Sequence, residues 1–111
     1  PLGCAAALAS LRLFRKTRLL KKVDRSIALL RTELLDFYKL RHVAEVRQLG
    51  MMVGIELDGV ADKVILEARK RGILLRPLGD VIILMPPLSI TGPELEKLLR
   101  VTYDSIKAAT E

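Results

Sequence analysis

The chain has 111 residues and a mass of 12.4 kDa, and surface scaling leaves roughly 6,000 Å² exposed out of about 18,000 Å² in the unfolded chain, enough burial for one compact domain and not two. Half the residues are hydrophobic, 29% are charged, and Gly and Pro together number 12, which excludes disordered, collagen-like and linker-rich classes. The net charge of +6 sits in the first half, where residues 1–50 carry 11 basic and 4 acidic side chains against 8 and 9 in residues 51–111; no apolar run approaches the roughly 20 residues of a membrane span.

From Cys4 to Leu11 small and helix-forming residues predominate, and Cys4, Ala7, Leu8, Leu11 and Phe14 share one face at three- and four-residue spacing, predicting a helix over 3–16. The alanines leave little bulk, so a large neighbour is expected to pack there, with Cys4 as a small core residue. One cysteine cannot form an internal disulfide, and the N-terminus lacks the charged-then-apolar order of a signal peptide; the expected setting is the reducing cytoplasm. Arg12, Arg15, Lys16, Arg18, Lys21, Lys22 and Arg25 face only Asp24. This run reads as a solvated helix face or one that meets an acidic partner, the alternative being a nucleic-acid or anionic-surface patch on a stand-alone binding module. Phe14 alone interleaves it, so a base-stacking nucleic-acid platform is poorly supported.

Val23, Ile27, Leu30, Leu34 and Phe37 alternate in steps of four and three, predicting a second helix over 20–40. The period then drops to two. Ala44 and Val46, and then Met51, Val53, Ile55 and Leu57, alternate with other residues around Leu49-Gly50, predicting a hairpin of strands 43–49 and 51–57. Met51 and Met85 are expected in the core and Met52 on the opposite face; His42 reads as a surface or capping residue. Asp58-Gly59 breaks the strand, and Ala61, Val64, Ile65 and Ala68 mark a helix over 60–71 that ends at Gly72. Two short apolar runs, 73–77 and 81–86, flank Leu78-Gly79-Asp80 as a second hairpin, with Arg76 at the end of the first run. Thr91-Gly-Pro-Glu94 reads as a capping box before a last helix over 93–109. The order ααββαββα predicts an α+β domain with helices packed on a small, mainly antiparallel sheet.

The chain offers one His, one Cys and scattered carboxylates without metal-ligand, nucleophile-base or phosphate-loop spacing, so no complete active site is visible. Arg76 stands apart. Following Ile73, Leu74 and Leu75 and preceding the rigid Pro77, its planar guanidinium is either an ion-paired structural group or a carboxylate receptor.

At Gly72-Ile-Leu-Leu-Arg-Pro-Leu-Gly-Asp-Val-Ile-Ile-Leu-Met-Pro-Pro-Leu88 the chain resembles the C-terminal domain of class III, pyridoxal-phosphate-dependent aminotransferases. Pro1-Leu-Gly-Cys-Ala-Ala-Ala-Leu8 looks like the helix after the family's Gly-Asn dipeptide, Val46–Leu57 like its hairpin, and Ile90-Thr91 with Glu94-Leu95 like its last helix start. Arg76-Pro77 followed by Leu84-Met-Pro-Pro-Leu88 is most similar to the biotin-pathway branch, which moves an amino group from S-adenosylmethionine to 8-amino-7-oxononanoate. Ornithine, aminobutyrate and glutamate-semialdehyde members share the general pattern. The resemblance implies that Arg76 binds the substrate carboxylate. It also implies that the Schiff-base lysine, the aspartate at the pyridine nitrogen and the phosphate-binding groups lie outside this chain, none of whose eight lysines matches that lysine. Residues 1–111 are then expected to be a fragment, the small domain, whose partners are the large domain of the same polypeptide and a second subunit. The connection Asp58-Gly59 is short beside relatives that insert a loop there.

Overall fold

The computed structural model describes residues 1–111, arranged as α1 (Leu2–Lys16), α2 (Leu19–Glu33), the 3₁₀ helix η1 (Leu34–Lys39), β1 (Val43–Leu49), β2 (Met52–Leu57), α3 (Ala61–Lys70), β3 (Arg76–Leu78), β4 (Val81–Leu84) and α4 (Gly92–Thr110). The strands form one antiparallel sheet in the order β1-β2-β4-β3, the α+β order expected from the changes of period.

Alternation along β2 and β4 turns Val53, Ile55, Leu57, Ile82 and Leu84 to one face, where they are at most 3% exposed. Leu30, Leu34 and Phe37, Ala61, Val64 and Ala68, and Leu95, Leu99 and Ile106 close over that face from the helices. At roughly 1.5–3 kcal/mol per fully buried large side chain, this layer is the main favourable term in folding. Thr102 and Ser105 are fully buried in α4, and their hydroxyls donate back to the carbonyls of Leu98 and Val101, so neither leaves an unpaired polar group in the core.

The helix predicted over 20–40 changes geometry at Leu34. Leu34 and Phe37 are both buried and three residues apart, a spacing that the three-per-turn 3₁₀ helix stacks on one side. Phe37 meets Tyr103 edge-to-face with ring centroids 5.5 Å apart, and the Tyr38 hydroxyl donates to the Val46 carbonyl at 2.9 Å.

α3 ends in a Schellman motif: the amide of Ile73 donates to the Ala68 carbonyl and that of Gly72 to Arg69, with Gly72 at φ +81°, where a Cβ is unfavourable. Leaving that cap, residues 73–75 do not join the sheet. Arg76 therefore begins β3 instead of ending a strand over 73–77. Pro77, which has no amide to donate, is tolerated because β3 is an edge.

Three further expectations are corrected. Cys4 is exposed, because α1 buries none of its residues and reaches away from the sheet. Met85 is 65% exposed, since Ile82 and Leu84 claim the inner face and the two-residue period points their odd-numbered neighbours outward. Met51 is buried, as expected, but lies in the turn before β2.

The molecule measures 52 × 27 × 22 Å, with a radius of gyration of 16.0 Å against about 13 Å for a compact domain of this length. Its accessible surface of 7665 Å² exceeds the scaling value of roughly 6,100 Å² by about 1,500 Å². The protruding α1 and an uncovered sheet face contribute to this surplus.

The capping box forms as the spacing requires: the Thr91 amide donates to Glu94 Oε2 at 2.9 Å, and the Glu94 amide donates to Thr91 Oγ1. The donated amide hydrogen bond holds the Glu94 carboxyl below the usual carboxylate range. Its contribution to stability is therefore present above the ordinary carboxylate pKa and is lost as pH falls through the lower folded value. Thr91→Ala should cost about 1 kcal/mol and lower Tm by about 4 °C. Glu94→Gln should flatten the acid-side decline of Tm in circular-dichroism melts below pH 4.5.

Candidate functional site

No group of three or more His, Cys, Asp and Glu side chains is placed to hold a metal ion. The basic run is spread along the end of α1 and the first half of α2, with every member exposed and none ion-paired. Arg18 takes a left-handed conformation, φ 51°, at the N-cap of α2, so it divides the two helices. His42 is exposed, also at positive φ, in the turn before β1. No helix is long and apolar enough to cross a membrane.

Arg76 sits on the edge strand β3, exposed. Its Cα partner is Ile83 of β4; Ile83 in turn pairs with Gly54 of β2, and Gly54 with Arg47 of β1. Residues directly opposite in antiparallel strands share a face. Arg47, Gly54, Ile83 and Arg76 thus form one row across the sheet on the side away from the helices.

The two arginines of this row differ in their partners. Arg47 Nη1 donates to Glu56 Oε2 at 2.7 Å and also to Glu45 Oε2, and the bonds to Glu56 and then Glu45 raise its already high pKa. Arg71, at the end of α3, is likewise tied to Glu67, which also accepts from Lys70; those two bonds, Lys70 first, hold the Glu67 carboxyl below its usual range. Arg76 has no ion pair and no side-chain hydrogen bond to any residue of the chain. Of the two readings open from spacing, the internal ion pair finds no partner.

Between the ends of the row lies a shallow apolar cleft of about 300 Å³ lined by Leu49, Met52, Gly54, Leu78, Val81 and Ile83 among others. Met52 is on this outer face as expected. The cleft and the Glu45–Arg47–Glu56 cluster were not foreseen: Glu45 and Arg47 can be seen to share a face, but bringing Glu56 and Leu78 to them requires the strand order.

A guanidinium with all its donors free, beside apolar surface, suits a ligand that carries a carboxylate on an apolar body. No lysine is available for covalent chemistry in the same place: all eight are exposed on the helices and η1.

The chain is 45% identical to the adenosylmethionine-8-amino-7-oxononanoate aminotransferase of Nitratidesulfovibrio vulgaris over 99% of its length, covering 23% of that protein. It is 44% identical to the enzyme of the same name from Geobacter sulfurreducens, covering 99% of this chain and 27% of the relative. The crystal structure of the Methanocaldococcus jannaschii enzyme of that name superposes with a TM-score of 0.88 at 38% identity, covering 95% of this chain and 27% of that one. The chain therefore spans about a quarter of the length of the curated relatives it matches. Residues 1–106 match the family described as aminotransferase class-III, and the chain belongs to that family.

Proposed function

We propose that residues 1–111 are the small, substrate-reading domain of a pyridoxal-phosphate-dependent aminotransferase of biotin biosynthesis, which transfers an amino group from S-adenosylmethionine to 8-amino-7-oxononanoate. The observation that carries this reading is Arg76, exposed and unpaired on the outer sheet face, beside the names of the most similar relatives. Arg76 takes the substrate carboxylate in a bidentate pair, and the rigid Pro77 fixes the strand from which it reaches. Anchoring one end of a long substrate restricts where its ketone can lie, which contributes to rate through orientation.

Pyridoxal phosphate supplies the electron sink of transamination when bound. The lysines of this chain do not fit its site: all eight are exposed and none is enclosed. The covalent and phosphate-binding groups belong to the remaining polypeptide, which with a second subunit completes the enzyme in the cytoplasm. The single, unpaired Cys4 suits that reducing setting.

The test uses a fusion in which this chain replaces the matching quarter of the Geobacter sulfurreducens relative. Arg76→Ala should raise KM for 8-amino-7-oxononanoate about 10- to 150-fold, corresponding to roughly 1.5–3 kcal/mol for a charge-assisted bond. Arg76→Lys should recover part of this, since an ammonium lacks the planar fork. Tm should change by less than a structural ion pair would require, within about 0.5 kcal/mol of stability. Unchanged KM with a lowered Tm would return Arg76 to a structural role.

A second measurement addresses the cofactor. The 111-residue chain, treated with pyridoxal phosphate and borohydride, should show scattered, partial modification of its exposed lysines. One stoichiometric adduct would place a cofactor lysine in this chain and overturn the division of labour.

A further inference from the structure

We propose that the hollow of about 490 Å³ between α2 and the segment leading into α4 binds a phosphate monoester group, in a site separate from Arg76. Lys22, Arg25 and Ser26 line it from α2, and Ser89 and Thr91 from the other wall. Residues three and four apart on a helix are neighbours on one face, so the two cations and the Ser26 hydroxyl stand together on α2. No carboxylate lines the hollow, and none of its residues belongs to the sheet.

The groups in the hollow lack partners within the chain. Lys39, Arg47, Lys70 and Arg71 each take a carboxylate, whereas Lys22 and Arg25 take part in no ion pair. Thr32 of the same helix donates its hydroxyl to the Ala28 carbonyl four residues back. Ser26, half-buried on α2, makes no such bond, and the Ser89 hydroxyl is equally free. Thr91 differs from these, because its amide and hydroxyl are both committed to the capping box with Glu94. The start of α4 therefore supplies the wall, and recognition falls to the two cations and the two free hydroxyls.

The ligand class follows from charge and shape. A phosphate monoester carries about −1.5 to −2 charges at neutral pH and three strong acceptor oxygens. Lys22 and Arg25 balance that charge, and the hydroxyls add donors for the oxygens. A carboxylate, with one charge, is served by a single guanidinium such as Arg76. Leu29 and Ile90 are the apolar residues of the hollow, whose size is that of a small-molecule site, so an organic body can follow the phosphate in. Arg12, Arg15, Lys16, Arg18 and Lys21, all exposed, extend the positive field beyond the hollow and raise the local concentration of anions.

The test is a phosphorus NMR titration of the fusion described above with glycerol 3-phosphate, with pyridoxal phosphate already bound so that the cofactor's own phosphate site is filled. At about 20 mM salt, where screening is weak, binding should saturate with Kd of about 1 mM or tighter. Replacing both cations, Lys22→Ala with Arg25→Ala, should raise Kd by about tenfold or more, and Ser26→Val, which keeps every charge, by about threefold. Arg12→Ala with Lys16→Ala removes the same charge outside the hollow and should change Kd by less than about twofold. Tm should be unaltered in all of these, since the replaced cations are exposed and unpaired. Absence of saturation, or equal weakening by the two double variants, overturns the site and leaves only a diffuse positive field. A single-stranded oligonucleotide that binds more tightly than glycerol 3-phosphate and depends as much on Arg12 and Lys16 as on Lys22 and Arg25 assigns the run to nucleic acid and also overturns it. Cosedimentation with phosphatidic-acid vesicles that is lost in Lys22→Ala with Arg25→Ala supports the site with a lipid headgroup as the source of the phosphate. Saturable glycerol 3-phosphate binding without cosedimentation supports it with a soluble ester.

Discussion

One-sided burial of the sheet organises this molecule. Along β2 and β4 the inner positions carry Val53, Ile55, Leu57, Ile82 and Leu84, and every helix that packs on the sheet does so there. Because successive strand side chains point in opposite directions, filling the inner face with β-branched and leucine side chains commits the intervening positions to the outside. Gly54, Glu56, Val81 and Ile83 take those places. The same constraint that builds the core thus leaves a second, thinner apolar layer without a cover.

Charge is distributed to match. On the outer face Arg47 is neutralised by two carboxylates, and at the end of α3 Glu67 gathers Lys70 and Arg71. These exposed pairs contribute little to stability, but they leave Arg47 and Arg71 committed to partners within the chain. Arg76, a few residues from the Arg71 pair, has none. A guanidinium held on an edge strand by the following proline, with apolar Ile83 and Leu78 around it, can accept a carboxylate without first breaking an internal bond. The basic run on α1 and α2 is different: its side chains are spread over exposed helix surface, interleaved with the exposed Leu11, Leu13 and Leu20.

α1 shows how far the packing argument reaches. Its face of small residues satisfies the helical period, yet none of those residues is buried, and Arg18 in a left-handed conformation turns the chain into α2. A helix of 15 residues without a buried side chain is marginal by itself in water.

Much of the fold was legible from local rules. The two-residue period marked the first hairpin and two apolar runs around Gly79 the second, the three- and four-residue steps marked α2 and α3, Gly72 marked the end of α3, and Thr91 with Glu94 marked the start of α4, because each of these signals is carried by residues close together in the chain. Local rules were weakest where a residue had a choice of neighbours. Cys4 and Met85 have apolar character suited to a core and are exposed, since nothing near them in sequence says whether a core reaches that far. The change to a 3₁₀ helix at Leu34 depends on seating both Leu34 and Phe37 on the core under α4. Arg76 was picked out from its own sequence as a free fork or a paired one, and only the folded chain shows which carboxylates the other arginines take and that none comes to Arg76. Its place in a row with Gly54 and Arg47 was decided by tertiary structure: the two hairpins are joined by the pairing of β2 with β4, segments up to about 30 residues apart, and no local period encodes which strand of one hairpin lies beside which strand of the other.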